Sequence, residues 1–343
     1  MFRVIGRGYR WARMNSYSSL PAADGLRVIR LGNAALALSL LPEVGGKLVE
    51  LRDRRTGRNW LWQNPHLTHA PPAYAASFGS ALDSGGWDEI VPSVSACSIE
   101  LGDGSRCQLP DHGDPARLAW TVRALQASED RGGHCKLEVN GRALPFRFSR
   151  TVELDAVQPR LTISYELHNT GAVGWPYLYC AHPLFDIGRG ALIDLPAGQE
   201  MRIEALLGVP MSTHSQPCRW PTLPISATAT LNLASSLDVA ADSLPFAAKI
   251  FVRSPPDGCV SIVDSTSSAR LTFRYDPASM PWLGLWINNG GWSGSGSAPY
   301  RNLAVEPSTA GTDSLADAVA TGEALTLAPG QSRQWSIVLE LRS

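Results

Sequence analysis

Charge is scarce in this sequence. Of 343 residues only 18% are charged, and the balance is a net −1. No dense basic stretch occurs, so nucleic acid and anionic membrane surfaces are poor partners. Long apolar runs are missing as well. No window approaches the roughly 18 apolar residues of a membrane span. Met1 to Ala23 holds four arginines but no apolar run of signal-peptide length. The default is a cytoplasmic protein. Residues 1–24 read as an extension with little to order them, and residues 25–343 read as one domain. The six cysteines form no C-x-x-C pair and no zinc-finger spacing. They are expected to be reduced, and only Cys97 and Cys107, flanking a predicted hairpin, are placed to be bridged.

Helical periods are also scarce. The best candidate is Asp313 to Val319, with Asp313 as the cap and Gly322 at the end. What the chain has instead is period-2 alternation. In Leu161 to His168 the odd positions are apolar and the even ones polar, the pattern of a half-buried strand. Cys97 to Leu101 and Arg106 to Leu109 flank Gly102-Asp103-Gly104-Ser105, a hairpin signal. Leu325 and Leu327, a turn at Pro329-Gly330-Gln331, then Trp335, Ile337, Leu339 and Leu341 read as a closing pair of strands. The 31 glycines and 25 prolines are spread along the chain, as many turns require. The predicted fold class is all-β: a large antiparallel β-sandwich with few short helices. A 44% hydrophobic chain of this length can bury a large core.

The common enzyme signatures are absent. There is no G-x-x-x-x-G-K-[ST] loop, no G-x-S-x-G elbow, no Rossmann glycine pattern and no H-E-x-x-H. That argues against nucleotide hydrolysis, serine-esterase chemistry and nicotinamide cofactors. It leaves simple proton transfer open.

Five segments stand out in order. They are Pro42-Glu43-Val44-Gly45-Gly46-Lys47-Leu48, Gly85-Gly86-Trp87-Asp88-Glu89, Pro110-Asp111-His112-Gly113-Asp114, Tyr179-Cys180-Ala181-His182-Pro183 and Asn302-Leu303-Ala304-Val305-Glu306-Pro307. Together they resemble the landmarks of the aldose 1-epimerase (galactose mutarotase-like) family, from about residue 25 to the C-terminus. The resemblance implies a β-supersandwich with an open sugar cleft. It implies that His182 is the general acid and Glu306 the general base, with His112 touching the sugar near its ring oxygen. Galactose mutarotases proper carry an Asn-Arg-rich segment before this second histidine. Here that region reads Gly85 to Glu89, so the chain resembles the family's divergent branches, which include hexose-phosphate epimerases.

The chemistry follows from the groups themselves. A cyclic aldose opens when its anomeric hydroxyl loses a proton and its ring oxygen gains one. One placed base and one placed acid speed that by about 10²–10⁴-fold. No metal or organic cofactor is required. A metal site built from His112, His182 and Glu306 has no short-spaced ligand pair to support it. Each residue also has a plainer reading. His182, between apolar runs, is equally a satisfied buried histidine. Glu306 is equally a strand-end carboxylate, and His112 a turn residue. Asp88 and Glu89 either bind sugar hydroxyls or brace a loop. Trp286 stacks on a sugar face or fills a core. Lys249 is a candidate for meeting a substrate anion, and Arg52, Arg54 and Arg55 read as a solvated turn. The expected activity is anomer interconversion of a monosaccharide or modified monosaccharide by a monomer or homodimer. The alternative is a non-catalytic carbohydrate-binding relative using the same cleft.

Overall fold

The computed structural model describes residues 25–209, 218–226, 228–238, 245–294, 296 and 298–342. The expected extension, 1–24, lies outside them. Two antiparallel sheets, of twelve and eight strands, form the body, with two further two-stranded pairs. The expected alternation is realised in Arg160–Asn169, whose buried positions repeat every second residue. This strand lies between Phe146–Leu154 and Ser332–Arg342 in the smaller sheet. Phe148, Ile163 and Ile337 thereby point into one continuous core, which also takes Leu283, Leu285 and Val305 from the larger sheet. Aromatic pairs tie the sheets together: Trp87 and Phe185 of the large sheet both meet Phe273 of the small one, at 5.9 and 5.5 Å between ring centres.

The Cys97–Glu100 and Arg106–Leu109 hairpin forms as the sequence predicts. Its register sets Cys97 opposite Leu109 and Ile99 opposite Cys107, and both thiols are free. The closing pair does not form as read. Leu325–Leu327 pairs with Trp175–Tyr177, while Ser332–Arg342 pairs with Arg160–Asn169 and Arg270–Tyr275. Alternation marks a strand but says nothing of its neighbour, and here the turn separates two different sheets. The helix is Leu315–Ala320. Its cap is Ser314, whose side chain accepts from the Asp317 N–H, and not Asp313. That shift of one residue releases the Asp313 carboxylate for another contact. No helix among the described residues is long and apolar enough to cross a membrane.

The central strands of the large sheet run, side by side, Lys47–Asp53, Trp87–Ile90, Cys180–Phe185, Arg301–Ser308, Trp282–Asn289 and Phe246–Arg253. One face packs on the smaller sheet. The other carries the remaining polar and aromatic landmarks.

Candidate active site

Strand alternation separates Asp88 from Glu89. Glu89 turns between the sheets, where it is fully buried. There it accepts from Arg150 at 3.1 Å, Tyr165 Oη at 2.9 Å and Tyr179 Oη at 2.7 Å. It is a brace. Asp88 turns to the opposite face and lies in register with His182. On the next strand, the register that pairs Cys180 with Ser308 and Leu184 with Ala304 puts His182 opposite Glu306. Glu306 in turn pairs with Gly284. Asp88, His182, Glu306 and Gly284 thus form one row across four strands on one face.

Glu306 is fully buried, and its two oxygens have different surroundings. Oε2 meets the Lys249 ammonium and accepts from the Cys180 thiol at 3.5 Å. Oε1 has no hydrogen-bond partner and stands 3.7 Å from His182 Nε2. A side chain at 284 would collide with this carboxyl, since a Cβ there would come within 2.7 Å of Oε2. Glycine is required for clearance, not for backbone freedom. Lys249 reaches a second carboxylate, Asp313, at 3.3 Å. Burial pushes the Glu306 carboxyl up, Lys249 pulls it back, and Asp313 pushes it up again. Burial presses the Lys249 ammonium down, but Asp313 and Glu306 outweigh it and hold it above the ordinary lysine range. Lys249 is a cation here.

Burial, with neighbouring His112, Lys249 and Lys47 adding, holds the His182 imidazole well below the ordinary histidine range. Its Nδ1 has no hydrogen-bond partner. Asp88 is paired with Lys47 at 2.8 Å, yet its Oδ1 is also unpartnered. Lys47 is locked by three further acceptors: Leu82 O at 3.0 Å, Gly85 O at 2.9 Å and Ser84 Oγ at 3.1 Å. Three adjacent residues in the row therefore each leave one buried polar atom unpaired, where such atoms are normally satisfied.

A cover lies over the row. His112 stands perpendicular to His182 with ring centres 5.3 Å apart. Phe78 stacks on His112 at 3.7 Å and meets His182 edge-on at 5.3 Å. Asp111 organises both covering rings: Oδ1 pairs with His112 Nδ1 at 2.7 Å and Oδ2 accepts from Phe78 N–H at 3.0 Å. His112 holds a left-handed φ of 58°, rare for a side chain of this size, and its N–H donates to Val94 O at 2.6 Å.

Two residues along the strands from Glu306 lies an aromatic wall. Trp286, half-buried, donates its indole N–H to Asn302 Oδ1 at 3.2 Å. Trp62 and Tyr300 are tilted together with ring centres 4.6 Å apart, packed with Leu184 and Ala304. Tyr300 donates to Asp83, whose carboxyl burial raises to about 6.

By sequence, no family model and no curated protein matches the chain. Solved structures do. The Slr1438 protein from Synechocystis sp. PCC 6803 superposes with a TM-score of 0.64 at 17% identity, over 96% of this chain and 99% of that one. A galactose mutarotase-like protein from Clostridium acetobutylicum gives 0.62 at 14% identity, over 93% and 96%. A galactose mutarotase related enzyme from Lactobacillus acidophilus gives 0.58 at 13% identity, over 92% and 98%. The chain has the galactose mutarotase-like fold.

Within that mutarotase-like fold, the structure brings His182, Glu306, Asp88 and His112 together, with Trp286 and Lys249 on the same face. Arg52 lies elsewhere, bonded to Glu50 and Gly57 O. Four participants were not singled out by sequence reasoning. Lys47 stands in the Pro42 to Leu48 landmark without a role of its own there, and it opens the strand Lys47–Asp53. Cys180 reads only as one of six cysteines expected to be reduced, and Asp313 as a helix cap. Phe78 carried no signal, because nothing local marks the loop that folds over a distant strand. Among the described residues, no group of three or more His, Cys, Asp and Glu is placed to hold a metal ion.

Proposed function

We propose that the chain is a cytoplasmic aldose 1-epimerase that interconverts the anomers of a monosaccharide without a cofactor. The observation that carries this reading is the approach of His182 Nε2 to the unpartnered Glu306 Oε1, at 3.7 Å on adjacent strands. A gap of this size between an acid and a base fits an anomeric centre that touches both. In the proposed reaction Glu306 takes the proton of O1 as the C1–O5 bond breaks, and His182 Nε2 delivers a proton to O5. Rotation about C1–C2 and reclosure return both protons and leave the protein unchanged. Holding both groups against the bound sugar adds an orientation gain to the acid–base gain.

The protonation states constrain this reaction. In the sugar-free cleft burial favours the neutral imidazole and the neutral carboxyl. The reactive pair is carboxylate with imidazolium, and burial works against both charged forms. The pH–rate profile should be a narrow bell whose limbs belong to the coupled pair.

The remaining candidates take supporting places. The unpartnered Asp88 Oδ1 fits a sugar hydroxyl donor, and His112 fits a contact near the ring oxygen. The Trp286 ring, close by, offers a flat apolar surface to the sugar C–H face.

Anomer exchange measured by NMR tests the proposal, with D-glucose, D-galactose, D-xylose and D-glucose 6-phosphate as probes. Wild type should accelerate exchange of at least one, and His182→Ala and Glu306→Gln should each lose at least about 100-fold. Saturable sugar binding with no exchange would replace the enzyme reading with a carbohydrate-binding one. Full activity in both variants would refute the site.

A further inference from the structure

The two oxygens of Glu306 are treated differently, and the difference is built from four elements. The Phe246–Arg253 strand supplies Lys249, and the Cys180–Phe185 strand supplies Cys180. Trp282–Asn289 supplies the bare Cα of Gly284. The segment before the short helix supplies Asp313. Asp313 is itself fixed: its N–H donates to Glu204 Oε1 at 3.3 Å, and its carbonyl accepts from Val94 N–H at 3.0 Å and Ser95 N–H at 2.8 Å. Lys249 is 6% exposed, and its ammonium already faces two carboxylates, Glu306 and Asp313. Its charge is engaged before any sugar arrives.

We infer that Lys249 and Asp313 are an opposed pair of positioning residues. Lys249 clamps Oε2 of Glu306 so that Oε1 alone faces the sugar, and Asp313 limits how strongly that clamp holds the carboxylate charged. This rests on the reading of Glu306 as the base, and it removes Lys249 from the residues that would meet the substrate directly. The logic is electrostatic. A lysine bound to Glu306 alone would stabilise the carboxylate so fully that it would not take a proton from a sugar hydroxyl. A second carboxylate on the same ammonium returns basicity to Glu306 while keeping the geometry. The charged and titratable groups that face Glu306 are Lys249, Asp313, Cys180 and His182, with Glu204 behind Asp313 and His112 beyond His182. Burial, with Glu306 adding, holds the Cys180 thiol far above its usual range, so it is a neutral donor and adds no charge.

The test is a titration that needs no sugar. Glutamate side-chain carboxyls are labelled with ¹³C, and the Glu306 resonance is assigned by its loss in Glu306→Gln. In Lys249→Met the Glu306 midpoint should rise by about one pH unit or more, a tenfold change in protonation at fixed pH. In Asp313→Asn it should fall. The opposite signs separate this inference from general loosening of the site, which would move both midpoints toward the ordinary glutamate value. If Lys249→Met does not fold, Lys249→Gln takes its place, and its Glu306 midpoint should still rise, the sign opposite to general loosening.

Exchange kinetics on the fastest probe sugar give a second reading. The bell of the coupled pair should move in the same two directions, with kcat falling in Lys249→Met and KM little changed. A rise in KM alone would make Lys249 a sugar ligand and overturn the inference. Unmoved midpoints would overturn it as well. If the midpoints move as stated but no probe is exchanged in wild type, the clamp stands and the epimerase reading fails.

Discussion

Gly284→Ala is the sharpest probe of the row, because it adds one methyl and changes no charge. The strand backbone at 284 is not left-handed, so alanine is tolerated locally. The added Cβ, however, would lie 2.7 Å from Glu306 Oε2, 3.2 Å from Glu306 Cβ and 3.3 Å from Phe251 Cε1. Ordinary contact begins near 3.4 Å, so the carboxyl oxygen must move by about 0.7 Å, toward His182 or out of its contact with Lys249. A misplacement of about 1 Å in a reacting group costs on the order of 10²-fold. The expected loss in kcat is therefore about 10- to 100-fold. Overpacking costs about 1–3 kcal/mol, offset by about 0.5–1 kcal/mol from replacing a strand glycine. Net destabilisation should be about 1 kcal/mol, a fall in Tm of about 2 °C. NMR anomer exchange on the fastest probe sugar, beside a thermal melt, reads both. Wild-type kcat in a folded Gly284→Ala protein would refute the claim that the position of this carboxyl governs the rate.

Three further outcomes follow from the same contacts. Arg150→Met strands the buried Glu89 charge between the sheets, so urea unfolding should show a loss of about 3–5 kcal/mol. Exchange per folded molecule should be nearly unchanged, because Glu89 faces away from the row. His69, bonded to Ser84 Oγ at 2.8 Å and Gln63 Oε1 at 2.6 Å, is lowered to about 3 by burial and Lys47. The unfolded chain binds its proton near 6.5 and the native state does not, so this contribution is whole above that pH and is lost as pH falls toward 3. The loss approaches about 1.4 kcal/mol per unit, and His69→Gln should flatten the stability curve over this window. Phe78→Ala should uncover His182, whose imidazole midpoint by NMR titration should then rise toward the ordinary value. A midpoint left in place would show that Phe78 does not supply the burial.

Much of the fold was legible because strand alternation is a local property. Leu161 to His168 and the Cys97–Leu109 hairpin carry their structure within ten or so residues. The closing pair was misread because the partner of Leu325–Leu327 is Trp175–Tyr177, some 150 residues away, and no local pattern encodes a partner. The site was legible to the same depth. His182 and Glu306 stand in motifs whose order marks them. Lys249 was noticed as a cation but expected to meet a substrate, and Asp313 was read as a cap because Ser314, one residue on, satisfies the same pattern.

By itself the sequence determined the chemistry available: an all-β chain with a histidine, a glutamate and no binding motif for a nucleotide. It also determined that Asp88 and Glu89 cannot share a face, since neighbours in a strand point apart. Only the tertiary structure decided which of the two faces the row and which braces the sheets. It alone decided that Lys249 and Asp313 bracket one oxygen of Glu306, that Gly284 makes room for it, and that Phe78 closes over His182. Those are matters of register and packing between strands far apart in the chain. They set the burial and charge around each group, and so its proton affinity.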